Sequence, residues 1–122
     1  MMMDGRVDFI EEVGNWNIVR DNLRYSPSLE YSMLDEELNE YMEAGITGDV
    51  VGQADALADI LVVAAGGLVK LCKGNIDKVQ DILLAVTAAN NLKPEEKVDG
   101  KIIKGDKYIA PEPMIKEILD ED

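Results

Sequence analysis

Two carboxylates, Asp55 and Asp59, stand in the otherwise apolar stretch "DALADILVVAAGGLV". At about 100° per residue of helix they fall about 40° apart, on a stripe shared with Gly52, Val62, Val63 and Gly66. Burying a lone charged carboxylate is strongly unfavourable, so such groups persist when paired, protonated or bound to a metal. Capping accounts for a carboxylate near a helix start. Its benefit fades beyond the first turn, and Asp59 lies well past it. The preceding segment "LDEELNEYMEA" offers partners. Leu34, Leu38 and Tyr41 read as its apolar stripe. Glu37 and Glu40 border that stripe on adjacent turns, Glu36 and Glu43 point further towards solvent, and Glu30 falls on the side of Glu37. If the two helices pack antiparallel, Glu37, Glu40, Asp55 and Asp59 converge. No Lys or Arg occurs in residues 25–69 to neutralise them. An oxygen-only donor set suits Mg²⁺ or Mn²⁺.

The rest of the composition narrows the chemistry. The chain of 122 residues has no histidine, which removes Ser-His-Asp and Cys-His catalysis and most zinc sites. A di-iron bundle built on Glu-x-x-His motifs is removed with it. The net charge of −13 argues against nucleic-acid binding through phosphates. Free nucleotides are repelled as well, unless metal cations intervene. The lone Cys72, in "LVKLCKG", reads as packing and fits a reducing compartment, the cytoplasm. "MMMDGRVDF" lacks the apolar core of a signal peptide, and the run Ile60–Val69 is too short to span a bilayer, so no membrane role is expected. Seven of the nine lysines lie between Lys73 and Lys107. Lys93, Lys101, Lys104 and Lys107 gather beside glycines, a charge pattern suited to a polyphosphate ligand whose other side meets a metal.

These residues need helices to hold them. The periodicity predicts a first helix over residues 7–23, with Val7, Ile10, Val13 and Asn17 on one side and Gly14 weakening it. Ser26 followed by Pro27 reads as an N-cap and first helical position. The second helix then runs to about Ala44, with Gly45 as its end. A third extends from near Asp49 to near Lys73, stopped by Gly74. A fourth runs from Asn75 to about Asn91, with Ile76, Val79, Leu83, Val86 and Asn90 on the helical period. "VDGKIIKGDKYIAPEP" alternates and reads as a loop or short hairpin, and a short helix follows from Pro113 to Leu119. The expectation is one all-α domain over residues 1–122, four-helix-bundle-like, with a basic C-terminal loop. The third helix is apolar nearly all round and must be covered on every side. A homo-oligomer, most simply a dimer, does this.

In motif order and spacing the chain resembles the all-α nucleoside-triphosphate pyrophosphohydrolases, the MazG-like and phosphoribosyl-ATP pyrophosphohydrolase-like superfamily, and most of all its small single-domain phage and bacterial members. The matching residues are Glu37-Leu38-Asn39-Glu40 for the E-x-x-E pair and Asp55 to Asp59 for the second acidic pair. "VTAANNLK" matches through Asn90 and Lys93, and "DGKIIKGDKYIAP" through Gly100, Lys101, Lys104, Gly105, Tyr108 and Pro111. The similarity covers about residues 28–111. The usual second motif is E-x-x-D, whereas Ala56 stands three before Asp59 here. The usual aromatic after it is replaced by Val62 and Val63.

The resemblance implies Mg²⁺-dependent cleavage of a nucleotide between its α and β phosphates, giving a nucleoside monophosphate and pyrophosphate, or phosphate when the substrate is a diphosphate, in a dimer or tetramer. The expected metal ligands are Glu37, Glu40, Asp55 and Asp59, with Glu36 or Glu37 orienting or deprotonating water. Lys93, Lys101 and Lys104 would hold phosphates, and Asn90 and Tyr108 would complete the substrate site. Two alternatives stand beside this reading: hydrolysis of phosphoribosyl-ATP, and a non-enzymatic acidic helical module that binds a protein partner.

Overall fold

The computed structural model describes residues 8–121. Residues 1–7, which include Val7 and most of the N-terminal stretch expected to lack a signal sequence, lie outside the described residues. Five helices and one minimal hairpin follow in order: α1 (Phe9–Val19), α2 (Pro27–Thr47), α3 (Val50–Leu71), α4 (Ile76–Asn90), β1 (Lys97–Val98), β2 (Lys101–Ile102) and α5 (Glu112–Asp120). The protein is therefore all-α apart from the hairpin. No helix among the described residues is long and apolar enough to cross a membrane. The chain divides into two compact units, one up to Ile76 and one from Asp77.

In the first unit, α2 and α3 form an antiparallel hairpin and α1 packs on α3. Ser26 caps α2 by accepting from the Leu29 amide, with Pro27 at the first helical position. Asp49 caps α3, its Oδ1 accepting from the Gly52 amide at 2.9 Å. Helix α2 does not stop at Gly45. It continues to Thr47 and ends at Gly48, whose φ of +71° is the left-handed conformation that closes a helix. The Asp49 amide reaches back to the Ala44 carbonyl at 2.9 Å, satisfying a last-turn acceptor. Gly45 stays right-handed, with open space around it.

The facing stripe of α2 differs from the one its leucines predict. Glu30 and Ala44 are its buried residues, and Glu37, midway between them, is half-buried. Leu38 and Tyr41 are exposed. On α3 the facing residues include Gly52, close to Ala44, and Gly67, close to the Glu30 carboxylate. At the end of the hairpin remote from the turn, Lys70 Nζ donates to Glu30 Oε1 at 2.6 Å, both side chains being more than nine-tenths buried. The sequence expectation lacks this ion pair because Lys70 lies one residue beyond the stretch 25–69 that has no Lys or Arg.

Helix α1 buries Ile10, Val13, Gly14 and Asn17. Gly14 weakens helix propensity but is a packing residue: a Cβ there would meet the Ile76 side chain at 2.7 Å. Asn17 is satisfied internally, donating to the Val13 carbonyl and accepting from Asn22. Leu57, Leu61 and Val62 of α3 are exposed, as are Met42 and Ile46 of α2. The cover that an apolar α3 demands is thus incomplete within one chain among the described residues.

Helix α4 begins at Ile76, the last residue of the first unit, directly after Asn75, and buries Val79, Ile82 and Ala89. The alternating segment forms the hairpin, with Lys97 opposite Ile102 and Val98 opposite Lys101. Its two-residue turn is Asp99-Gly100, both at positive φ (52° and 79°), the twist that suits antiparallel strands. Helix α5 follows where the short last helix is expected.

The two glycines at the end of α2 should respond oppositely to alanine. Gly48→Ala places a Cβ in the left-handed region and should lower stability by about 1 kcal/mol. Gly45→Ala should raise it by about 0.5–1 kcal/mol. Urea unfolding of both variants measures the contrast.

Candidate metal centre

Helix α2 carries Glu37 and Glu40 on adjacent turns, and α3 presents Asp59 across the antiparallel seam. One carboxylate oxygen from each of the three lies within 4.8 Å of the other two. Glu37 and Asp59 are half-buried and Glu40 is exposed, so the group opens to solvent on one side.

The electrostatics centre on Glu37. Its Oε2 is buried and, among the described residues, has no hydrogen-bond partner. Its carboxyl is pushed up from an ordinary 4.5 to about 7. Loss of hydration on burial is the largest cause, followed by a side-chain hydrogen bond with Glu40 and then by the negative charges of Glu40, Asp59 and Glu36. Three carboxylates at this spacing repel one another when ionised. The repulsion is relieved either by a proton retained on Glu37 or by a cation among the oxygens. The donors are all hard oxygens, and Glu37, one of the three, carries a buried oxygen without a hydrogen-bond partner among the described residues. This fits Mg²⁺ or Mn²⁺ and offers nothing to a metal that prefers nitrogen or sulfur.

The other expected site residues separate. Asp55 is exposed and outside the three-carboxylate group. It lines, with Glu40, Glu43 and Asp49, an acidic cavity of about 550 Å³ beside the α2–α3 turn. The expectation that Asp55 shares a buried face is therefore corrected: the first turns of α3 leave that face open to water, and an exposed carboxylate needs no partner. Glu36 is exposed and acts on Glu37 through its charge.

In the second unit, the structure brings together Lys93, Lys104 and Tyr108. The Lys104 and Lys93 ammonium groups lie 5.2 and 5.7 Å from the centroid of the Tyr108 ring. Gly105, at φ +67°, lets the chain turn against Pro94, which a Cβ would meet at 3.0 Å. Lys101 is exposed on β2, and Asn90 is exposed at the end of α4.

No protein-family model, curated protein or solved structure matches this chain.

The raised Glu37 carboxyl makes a signed prediction for the metal-free protein. The folded state holds a proton that the unfolded chain releases near 4.5. The stability from this group is therefore complete below that pH and is lost as pH rises through about 7. Glu37→Gln keeps the shape and cannot ionise. In EDTA, the melting temperature of the native protein should fall relative to this variant between pH 4.5 and 7.5. Parallel curves would show that Glu37 titrates normally.

Proposed function

We propose that the protein is a Mg²⁺-dependent nucleotide pyrophosphohydrolase of the MazG-like type, cleaving a nucleoside triphosphate between its α and β phosphates. The observation that carries this reading is the convergence of one carboxylate oxygen each from Glu37, Glu40 and Asp59 within 4.8 Å. The motif resemblance around the same residues gives the reaction class.

Glu37, Glu40 and Asp59 are the ligands in this reading, and Asp55, one turn along α3, serves from the adjoining acidic cavity. Bound there, Mg²⁺ supplies positive charge against phosphate oxygens and acidifies water. Glu36, at the solvent edge, is the group assigned to orient or accept a proton from the attacking water, with Glu37 second to it. Lys93 and Lys104, held over Tyr108, and Lys101 on the hairpin carry charge complementary to the departing pyrophosphate. Asn90 hydrogen-bonds sugar or phosphate. The exposed Leu57, Leu61 and Met42 give the proposed homo-oligomer, a dimer or tetramer, apolar surface to bury.

The reading predicts pyrophosphate and nucleoside monophosphate from a panel of ribo- and deoxynucleoside triphosphates with Mg²⁺, and none in EDTA. Glu40→Ala and Asp59→Ala should each lower turnover at least a hundredfold without loss of helical signal, and Asp55→Ala should lower it less. Turnover retained in Asp59→Ala would remove the site from consideration. Silence across the panel, with no Mg²⁺-dependent thermal shift, would favour the acidic binding module instead.

A further inference from the structure

The hairpin of the second unit turns on an aspartate followed by a glycine. Asp99 and Gly100 are exposed, and open space surrounds the position that a Gly100 Cβ would take. This is the one Asp–Gly step among the described residues. Both groups that can react with each other there are free. The Asp99 carboxylate has no hydrogen bond or ion pair with a described residue, and the Gly100 amide donates to no described acceptor. Elsewhere the amide that follows an aspartate is tied down: those after Asp35, Asp55, Asp59 and Asp81 lie inside helices, bonded one turn back.

Little holds the turn in one shape. The strands pair through Lys97 with Ile102 and Val98 with Lys101, extended by the Ile103 amide donating to the Glu96 carbonyl at 3.2 Å. All four strand residues are exposed, and among the described residues neither strand packs on a helix. A two-stranded hairpin without such support is marginally stable at best, and hairpins form within about 1–10 μs. The turn therefore opens and recloses many times within any reaction that takes hours or days. Asp99 also sits at φ +52°, a left-handed conformation that a residue with a Cβ adopts at a cost. Opening removes that cost and frees the Asp99 backbone to bring its side chain over the Gly100 nitrogen.

We infer that Asp99 is a site of covalent modification, converting to isoaspartate through a cyclic imide closed by the Gly100 nitrogen. Glycine has no side chain beside that nitrogen, so its approach to the Asp99 Cγ is unhindered. The N–Cγ bond forms, the amide proton and the carboxyl hydroxyl leave together as one water, and a five-membered succinimide results. Water then opens the ring at either carbonyl. Breaking N–Cγ restores aspartate. Breaking the bond from nitrogen to the Asp99 main-chain carbonyl carbon leaves the chain running through Cβ and Cγ, with the α-carboxylate free. The one water lost is regained, and no oxidant or reductant takes part. The product lengthens the turn by one main-chain atom, so the pairing of Val98 with Lys101 across a two-residue turn is lost. The inference is independent of the hydrolase reading.

The test is to hold the folded protein at 37 °C and neutral pH over weeks, digest samples with trypsin, and follow the fragment from Val98 to Lys101. Isoaspartate has the mass of aspartate, so it is recognised by co-elution with the synthetic isoaspartyl fragment and by electron-transfer fragmentation, which marks the extra main-chain carbon. The folded protein should form it within about tenfold of the rate in a synthetic peptide spanning residues 96–103. It should form at least tenfold faster at Asp99 than at Asp35, Asp55, Asp59 or Asp81. Gly100→Ala should slow it at least fivefold. Asp99→Asn keeps a favoured turn pair and should speed the same ring closure at least tenfold, ammonia leaving in place of water. A rate in the folded protein more than tenfold below that of the peptide would show that the hairpin protects Asp99 and would overturn the inference. Equal rates at the helical aspartates, or no effect of Gly100→Ala, would overturn it as well.

Discussion

The seam between α2 and α3 is charged where a helical hairpin ordinarily stacks hydrocarbon, and the rest of the first unit follows from accommodating that charge. Glu30 and Lys70 close one end and neutralise each other at 2.6 Å. Small residues, Ala44 and Gly52, close the end beside the turn. Between them Glu37, Glu40 and Asp59 come within 4.8 Å with no cation of their own. Lost hydration first, and then the neighbouring carboxylates, hold the Glu37 carboxyl near 7 rather than 4.5. A hard divalent ion would satisfy it without protonation.

Turning the acidic residues inward turns part of the apolar stripe outward. Leu38 and Met42 of α2, and Leu57 and Leu61 of α3, are exposed in the single chain. The rotation that aims Glu37 into the seam is the same one that lifts Leu38 out of it, since neighbouring residues on a helix sit about 100° apart. The chain thus combines a net charge of −13 with apolar helix faces. Apolar surface of this kind invites burial against another surface, whereas the acidic residues keep the remainder in water.

Charge is also divided along the chain. The acidic seam belongs to the first unit, and most lysines belong to the second, where Lys93 and Lys104 share the Tyr108 ring. Two ammonium groups near one aromatic ring each gain from its quadrupole and still repel each other. A bound anion would offset that repulsion, as a cation would among the carboxylates. Each unit therefore carries a local cluster of one charge sign, acidic in the first and basic in the second.

Much of this was legible locally. Ser26-Pro27 and Asp49 mark helix starts because a side-chain oxygen satisfies an exposed amide whatever the fold around it. The helical period of "LDEELNEYMEA" and of "DALADILVV" also placed Glu37, Glu40 and Asp59 on facing sides. Which of two nearby glycines ends α2 was not legible: Gly45 and Gly48 have the same local freedom, and the backbone took the left-handed turn at Gly48, where the Asp49 amide could reach back to Ala44. A helical wheel gives direction without depth, so it could not separate exposed Asp55 from half-buried Asp59. The Glu30–Lys70 pair joins residues forty positions apart, and no local pattern encodes such a contact. The sequence by itself determined the helices and the acidic character of their shared face, because both arise from neighbours in the chain. Only the tertiary structure decided which carboxylates meet and which charge is paired, because packing across the seam sets both distance and exposure to water.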